Sequence, residues 1–289
     1  MKSFISLLFF SLTLQLSAAQ QLESFEENGK YGIKESGSGK VLAEAIYDEI
    51  HSFTEGLAVV TMNGKYGFID KAGKNVVTTE YLEANDFSEG LAAVFTGEKW
   101  GFINKAGAIV IPFEYDECGS FSEGLALVMK NAYAGFIDKS GKVVIPLIYD
   151  YAMPFSQGLA VVEKEGFSGL IDLKGEVVVP LKYLEITDFS QGFAAVNKDN
   201  KWGYINRQGT EVIKPEYDYA FPFSEGFGGV MIANKGGYID MQNNIQIPLV
   251  FDALGSFVNG ASLVEQNGVQ FYIDKKGNCV LKEGLACPK

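Results

Sequence analysis

An all-β fold assembled from tandem 34-residue repeats is predicted by three features of this 289-residue chain. First, one tetrapeptide recurs without a slip. It opens as Phe53-Thr54-Glu55-Gly56, returns at Phe87, Phe121, Phe155, Phe189 and Phe223, and closes as Phe257-Val258-Asn259-Gly260. Seven copies at a constant spacing of 34 mark a repeat array. Second, apolar residues within a copy alternate by two, not by three and four. Third, Gly and often Pro stand at fixed places in each copy, where they would break a helix. The last two features exclude the helical repeats that share this period.

The chain begins with a segment of another kind. Lys2 supplies a short basic start, Phe4 to Leu16 is mostly apolar, and Ser17-Ala18-Ala19 sets small residues before Gln20. That order reads as a signal peptide over 1–19, cut before Gln20. The apolar stretch is shorter than the ~20 residues a membrane span needs. No Cys lies near the cut to carry a lipid, and no later segment is apolar enough to span. The expected organisation is a signal peptide, 1–19, followed by one β-repeat domain, 20–289. The expected location is periplasmic or extracellular.

Each copy reads as three short strands. Strand A is of the type Leu57-Ala58-Val59-Val60, and Asn63-Gly64 after it is a hairpin signal. Strand B is Tyr66-Gly67-Phe68-Ile69-Asp70. The following Asp70-Lys71-Ala72-Gly73 suits a type I turn, with Asp accepting from backbone amides and Gly taking a positive φ. Strand C is of the type Val143-Val144-Ile145-Pro146, where Pro is expected to end the pairing for want of a donor. A loop through Tyr149-Asp150 and the Phe-Ser-Gln-Gly tetrapeptide leads to the next strand A.

Several columns keep the same beat. Val60, Val94, Val128, Val162, Val196, Val230 and Val264 form one; Ile69, Ile103, Ile137, Ile171, Ile205, Ile239 and Ile273 form another. The position of Ala58 stays small throughout, which suggests close approach by a neighbour. In strand B, Gly67 and Ile69 share one face, and Tyr66 and Phe68 the other. Both faces are largely apolar, so each sheet is expected to be covered on both sides by adjacent copies. The ends depart from this pattern. Lys34 replaces Ile in the first copy, which predicts a solvent-facing cap, and Phe271 replaces Gly in the last. Strands B and C occur eight times in this reading and strand A seven times. The units are expected to stack as an open solenoid-like array; a seven- or eight-bladed β-propeller is the alternative. Both terminal copies keep strands B and C together, which favours the open form.

Composition narrows the function. The chain carries 24 basic and 36 acidic residues, for a net charge of −12. That balance, with a single Arg (Arg207), argues against nucleic-acid binding. His51 is the single His. It has no recurring partner, and there is no Gly-x-Ser-x-Gly elbow, so a hydrolase triad is not expected. No phosphate loop or Cys-x-x-Cys is present. Of the three cysteines, Cys279 and Cys287 are placed to clip the C-terminal end as a disulfide, with Cys118 left over; three free thiols are the other reading.

Lys99-Trp100-Gly101-Phe102-Ile103-Asn104 and Lys201-Trp202-Gly203-Tyr204-Ile205-Asn206 resemble the motif of the WG-repeat family, with Lys30-Tyr31-Gly32 and Lys65-Tyr66-Gly67 as near matches. The family's trailing Ile-Pro and Tyr-Asp recur at Ile111-Pro112 with Tyr115-Asp116, and at Ile145-Pro146 with Tyr149-Asp150. The resemblance runs from about Asn28 to Leu281. It implies a mainly bacterial, often exported β-repeat protein without an assigned general activity, and it offers no catalytic residues. The Trp is lost at Ala134, Ser168, Gly236 and Gln270.

The aromatic column at Tyr31, Tyr66, Trp100 and Trp202 is the candidate ligand-binding set, since flat apolar faces stack on sugars or peptide side chains; packing between copies is the competing reading. The Asp column at Asp70, Asp138, Asp172, Asp240 and Asp274 offers one carboxylate per loop, which fits turn chemistry better than calcium. Glu55, Glu89, Glu123 and Glu225 alternate with Gln157 and Gln191, which suggests hydrogen bonding rather than acid–base work. The expectation is therefore an exported, non-catalytic binding or scaffold protein for a protein or peptide partner, with no metal and no cofactor. A carbohydrate-binding module of the cell envelope is the second reading, and a glycosidase built on paired carboxylates the third. Mass spectrometry of the exported protein should find an N-terminus at Gln20; retention of Met1 would refute the leader.

Overall fold

The structure is a computed structural model and describes residues 22–288. The signal peptide expected over 1–19 lies outside the described residues. The described chain is all strand and turn, arranged as eight small antiparallel sheets, none closed into a barrel. It divides into two compact units, one up to Ala84 and one from Asn85. The first unit holds two sheets, and the second holds six that follow one another in chain order.

Strands A, B and C form where the alternation places them. In copy 2 they are Leu57–Met62, Lys65–Asp70 and Asn75–Tyr81. Strand A pairs with B in continuous register from Leu57↔Asp70 to Met62↔Lys65. The hairpin between them turns through Asn63 and Gly64, both at positive φ, the turn whose twist matches that of the strands. The Asp-x-x-Gly turn is also as expected: Asp70 Oδ1 accepts from the amides of Ala72 and Lys74, each at 2.9 Å.

Two features go beyond the sequence reading. The first copy has its own strand A, Leu22–Glu27, paired along strand B from Leu22↔Glu35 to Glu27↔Lys30, so strand A occurs eight times. Its residues are largely Glu and Ser, which hid it from an apolar pattern. A fourth strand also precedes strand A, as at Glu49–Ile50, Tyr151–Ala152 and Tyr219–Ala220. It holds only two residues in every copy that has it except the fourth, where it runs over Glu117–Ser122, and two residues are too few for alternation to register. The tetrapeptide that joins it to strand A is a tight hairpin: Ser156 and Leu159 bridge across Gln157 and Gly158, both at positive φ.

Strand C does not end at its Pro, as the missing donor had suggested. It runs through Pro146 as Val143–Tyr149. Strand C is the outer edge of its sheet, and the Pro lies in a bulge where the ladder asks for no bond. That bulge explains the recurring Gly of strand B. Trp202 pairs with Tyr217 and Tyr204 with Ile213, so Gly203 alone opposes three residues of strand C. A Cβ on Gly203 would lie 2.4 Å from the Ile213 carbonyl oxygen and 2.6 Å from the Pro215 nitrogen. In the last copy strand C is reduced to Cys279–Val280, opposite Tyr272 and Ile273. Among the described residues, no strand C bulge lies opposite position 271, and Phe271 is buried beside Phe251.

Every inner sheet is buried on both faces. All seven Ile of the Ile column and all seven Val of the Val column are buried, as are Phe68, Phe102, Phe136, Leu170, Tyr204 and Tyr238 on the opposite face of strand B. The clusters show what covers what. Phe102, Ile111 and Tyr115 of copy 3 pack against Phe121, Ala126, Val128 and Ile137 of copy 4. Phe136, Ile145 and Tyr149 of copy 4 pack in the same way against Phe155, Ala160, Val162 and Ile171 of copy 5. The aromatic face of one copy thus meets the aliphatic face of the next, and the small residue at Ala126 or Ala160 makes room. In the first copy Lys34 stands half-buried at the Ile position and meets Glu23 at 3.2 Å. Cys279 and Cys287 are joined as a disulfide, and Cys118 is buried in an apolar column with its thiol pKa raised by burial.

Gly203→Ala should destabilise the fold by about 1–3 kcal/mol through overpacking. Phe271→Gly should also destabilise, by about 3–5 kcal/mol, because there the bulge is absent and a cavity is left. Thermal unfolding of the two variants checks both signs.

Candidate functional site

The sequence-predicted aromatics do not converge. Each lies in its own sheet opposite the buried Tyr of strand C: Tyr31↔Tyr47, Tyr66↔Tyr81, Trp100↔Tyr115 and Trp202↔Tyr217. Trp202 is only 4% exposed and packs on Tyr219 with ring centroids 5.2 Å apart, so it is no stacking platform. Trp100 is half-buried and stacked on Phe95 at 5.4 Å. Tyr66 is half-buried, and Tyr31 is 37% exposed. Tyr31 borders a shallow hollow with Ser24, Glu49 and His51, and His51 Nε2 lies 3.8 Å from a Glu49 carboxylate oxygen.

Two polar ladders tie copy to copy. The first runs through the tetrapeptide hairpins. The Ser hydroxyl of one hairpin donates to the Phe carbonyl of the next: Ser88 to Phe121 at 2.7 Å, Ser122 to Phe155 at 2.9 Å, Ser190 to Phe223 at 2.5 Å and Ser224 to Phe257 at 2.6 Å. The Glu or Gln beside it accepts from the next hairpin's Gly amide. Gly158 donates to Glu123 at 2.7 Å, Gly226 to Gln191 at 2.8 Å and Gly260 to Glu225 at 3.0 Å. Glu and Gln interchange because both present the same acceptor oxygen. These residues hold positive φ, a conformation uncommon for non-Gly residues. A further cation joins the ladder at Lys139–Glu89, 2.9 Å, at Lys275–Glu225, 3.0 Å, and at Arg207–Gln157, where Nη1 donates to Oε1 at 2.9 Å. The hydrogen bond from Lys139 holds the Glu89 carboxyl below its ordinary pKa, and Lys275 does the same for Glu225.

The second ladder runs through the Asp after the strand C Tyr. Its Oδ1 accepts from the Lys that opens strand B of its own copy: Lys30 for Asp48, Lys99 for Asp116, Lys201 for Asp218 and Lys235 for Asp252. Its Oδ2 accepts from an amide at the next copy's hairpin tip: Asn63, Asn131, Ala233 and Asn267 respectively, at 2.6–2.7 Å. The Lys hydrogen bond is the first cause, and the amide the second, that lower the pKa of all four carboxyls. Sequence reasoning placed the Tyr-Asp pair in a loop and missed this bridge. The signal was present as a constant spacing of Lys and Asp across a strand pair.

The ladders engage the carboxylates of the tetrapeptide Glu and of the Asp after the strand C Tyr. Among the described residues, no group of three or more His, Cys, Asp or Glu side chains is placed to hold a metal ion, and no helix is long and apolar enough to cross a membrane. Large apolar side chains also face outward. Ile109, Val143, Val177 and Ile245, at the start of strand C in four copies, are exposed, as are Tyr133, Tyr151 and Phe167.

Repeated two-sided sheets joined by such ladders define a tandem β-repeat protein. The chain belongs to the WG containing repeat family, which matches residues 31–66, 66–100, 100–133, 135–166, 169–202, 202–235 and 237–269. No curated protein matches it. Among solved structures, a eukaryotic initiation factor is similar with a TM-score of 0.55 at 14% identity, over 91% of this chain and 83% of that one. Kluyveromyces lactis Hsv2p is similar at a TM-score of 0.42 and 9% identity, over 78% of this chain and 92% of that one. These neighbours are β-propeller-like proteins. The likeness to the initiation factor shows shared fold and nothing of its activity.

The four Lys-bonded carboxyls bind fewer protons folded than unfolded at pH below about 4. Their stabilisation is present above the ordinary carboxylate pKa and is lost as pH falls through the lowered one. The thermal midpoint should fall as pH drops below about 4, and Asp218→Asn with Asp252→Asn should flatten that fall while lowering the midpoint at neutral pH. Thermal scans across this range make the check.

Proposed function

We propose that this WG-repeat protein is an exported, non-catalytic binding or scaffold protein that offers its repeat surface to a protein or peptide. The observation that carries this reading is the division of labour between columns. The recurring polar side chains, Ser88, Glu123, Asp218 and their equivalents, are engaged in turns and in ladders between copies. The outer edge strands meanwhile keep Ile109, Val143, Val177 and Ile245 exposed at a regular interval. An edge strand with apolar side chains suits pairing with another chain. The burial of Trp202 weakens the carbohydrate reading, because the indole face a sugar would use is covered by Tyr219.

The test is capture of partners by tagged protein comprising residues 20–289, from the envelope and growth medium of its own cells. A retained protein that is lost with Ile109→Asp and Ile245→Asp together is the expected result. Recovery of a polysaccharide alone would overturn the reading.

A further inference from the structure

One bridge in the Asp ladder lacks its cation. Asp48, Asp116, Asp218 and Asp252 each take a Lys from the start of strand B. Asp150 has Tyr133 at that place. Its Oδ2 still accepts from the Glu165 amide at 2.6 Å, so the carboxylate is held in the ladder's geometry. Among the described residues, no Lys or Arg pairs with it; Lys164, which precedes the Glu165 amide, is exposed and forms no ion pair there. Asp150 is the one Asp of this column in the whole chain without a Lys opposite.

The aromatic residues around it are also unusual. The register Ala134↔Tyr149 sets Tyr133 beside Asp150, the same relation that brings Lys201 to Asp218. Tyr151 follows Asp150 and pairs with Glu163 of the next strand A. In copy 6 the equivalent of Tyr151 is Tyr219, whose ring packs on Trp202. In copy 4 that Trp is Ala134, so the Tyr151 ring has no indole against it. Tyr133 is 49% exposed, Tyr151 52%, and Phe167 at the next hairpin tip 46%. A positioned carboxylate beside exposed aromatic faces suits a cation on an aliphatic stem, bound by charge and by the ring faces together.

We propose that Asp150, Tyr133 and Tyr151 receive a lysine side chain from a basic segment of a protein partner, which completes the ladder from outside. This rests on the reading of the chain as a protein-binding scaffold and names the chemistry of the partner. The net charge of −12 favours the encounter with a basic segment.

The fold itself supplies the test variants. Tyr133→Lys installs the internal Lys found in four other copies and should fill the place without unfolding the sheet. Lys201→Tyr frees Asp218 beside Tyr219, which is 44% exposed although one side packs on Trp202, and should open a second, smaller place for a cation. Hexalysine is titrated calorimetrically into the protein comprising residues 20–289, with thermal unfolding as a check on folding. Tyr133→Lys should weaken binding by about tenfold or more, and Lys201→Tyr should add to it. Unchanged binding in Tyr133→Lys would overturn the proposal. So would an equal loss in Asp252→Asn, which would mean a diffuse negative field, or binding of maltohexaose in place of hexalysine. A captured cellular partner that survives Tyr133→Lys removes this site and leaves the scaffold reading intact. Failure to capture any protein counts against that reading, while the hexalysine titration still decides the site.

Discussion

Burial of both faces of every inner sheet is the constraint on which the rest depends. A sheet with Ile137 on one face and Phe136 on the other has no exposed side to give to water. It is stable only between two neighbours, so the sheets of the second unit must follow one another as an array, and stability must be shared along it. The 34-residue beat follows from this. A copy of different length would move its Ile and Phe out of register with the faces they cover. The one extra residue in the first copy is tolerated because it falls in the turn before strand C, between Ser36 and Lys40, outside the packed faces.

The polar columns then serve alignment. Hydrophobic faces can slide; the hairpin and Asp ladders cannot, because each donor meets one acceptor at a fixed offset. Ser122 reaches Phe155 and Gly158 reaches Glu123 at one end of the sheets, while Asp116 joins Lys99 to Asn131 at the tips. The departures at the end of the array agree with this role. Val258 and Asn259 stand where Ser and Glu stand elsewhere, in the last tetrapeptide of the series. The ladder also shows how a repeat protein makes a distinctive spot on a uniform surface. Loss of one Lys at Tyr133 and one Trp at Ala134 leaves Asp150 without its cation and Tyr151 without the indole that Tyr219 packs on in copy 6.

Much of the fold was legible in the sequence. The Ile and Val columns, the hairpins at Asn63-Gly64 and the Asp70 turn follow from local patterns that need no knowledge of neighbours. The misses have physical causes. The first strand A is charged, so it carries no alternation. Most lead strands have two residues, too short to show a period. The Pro of strand C marked a bulge, because an edge strand tolerates a missing donor. The aromatic column was legible as chemistry and ambiguous as location: Trp202 and Trp100 share a motif, yet Tyr219 covers one and Phe95 only stacks on the other.

The sequence by itself determined the repeat, its period, its strands and the two-faced burial, because these depend on spacing along the chain. Only the tertiary structure decided which polar groups meet between copies, why Gly203 admits no side chain, and that Asp150 stands without the Lys its equivalents hold. Those facts depend on atoms brought together from residues 10 to 50 positions apart, by a bulge and a stack that spacing alone does not specify.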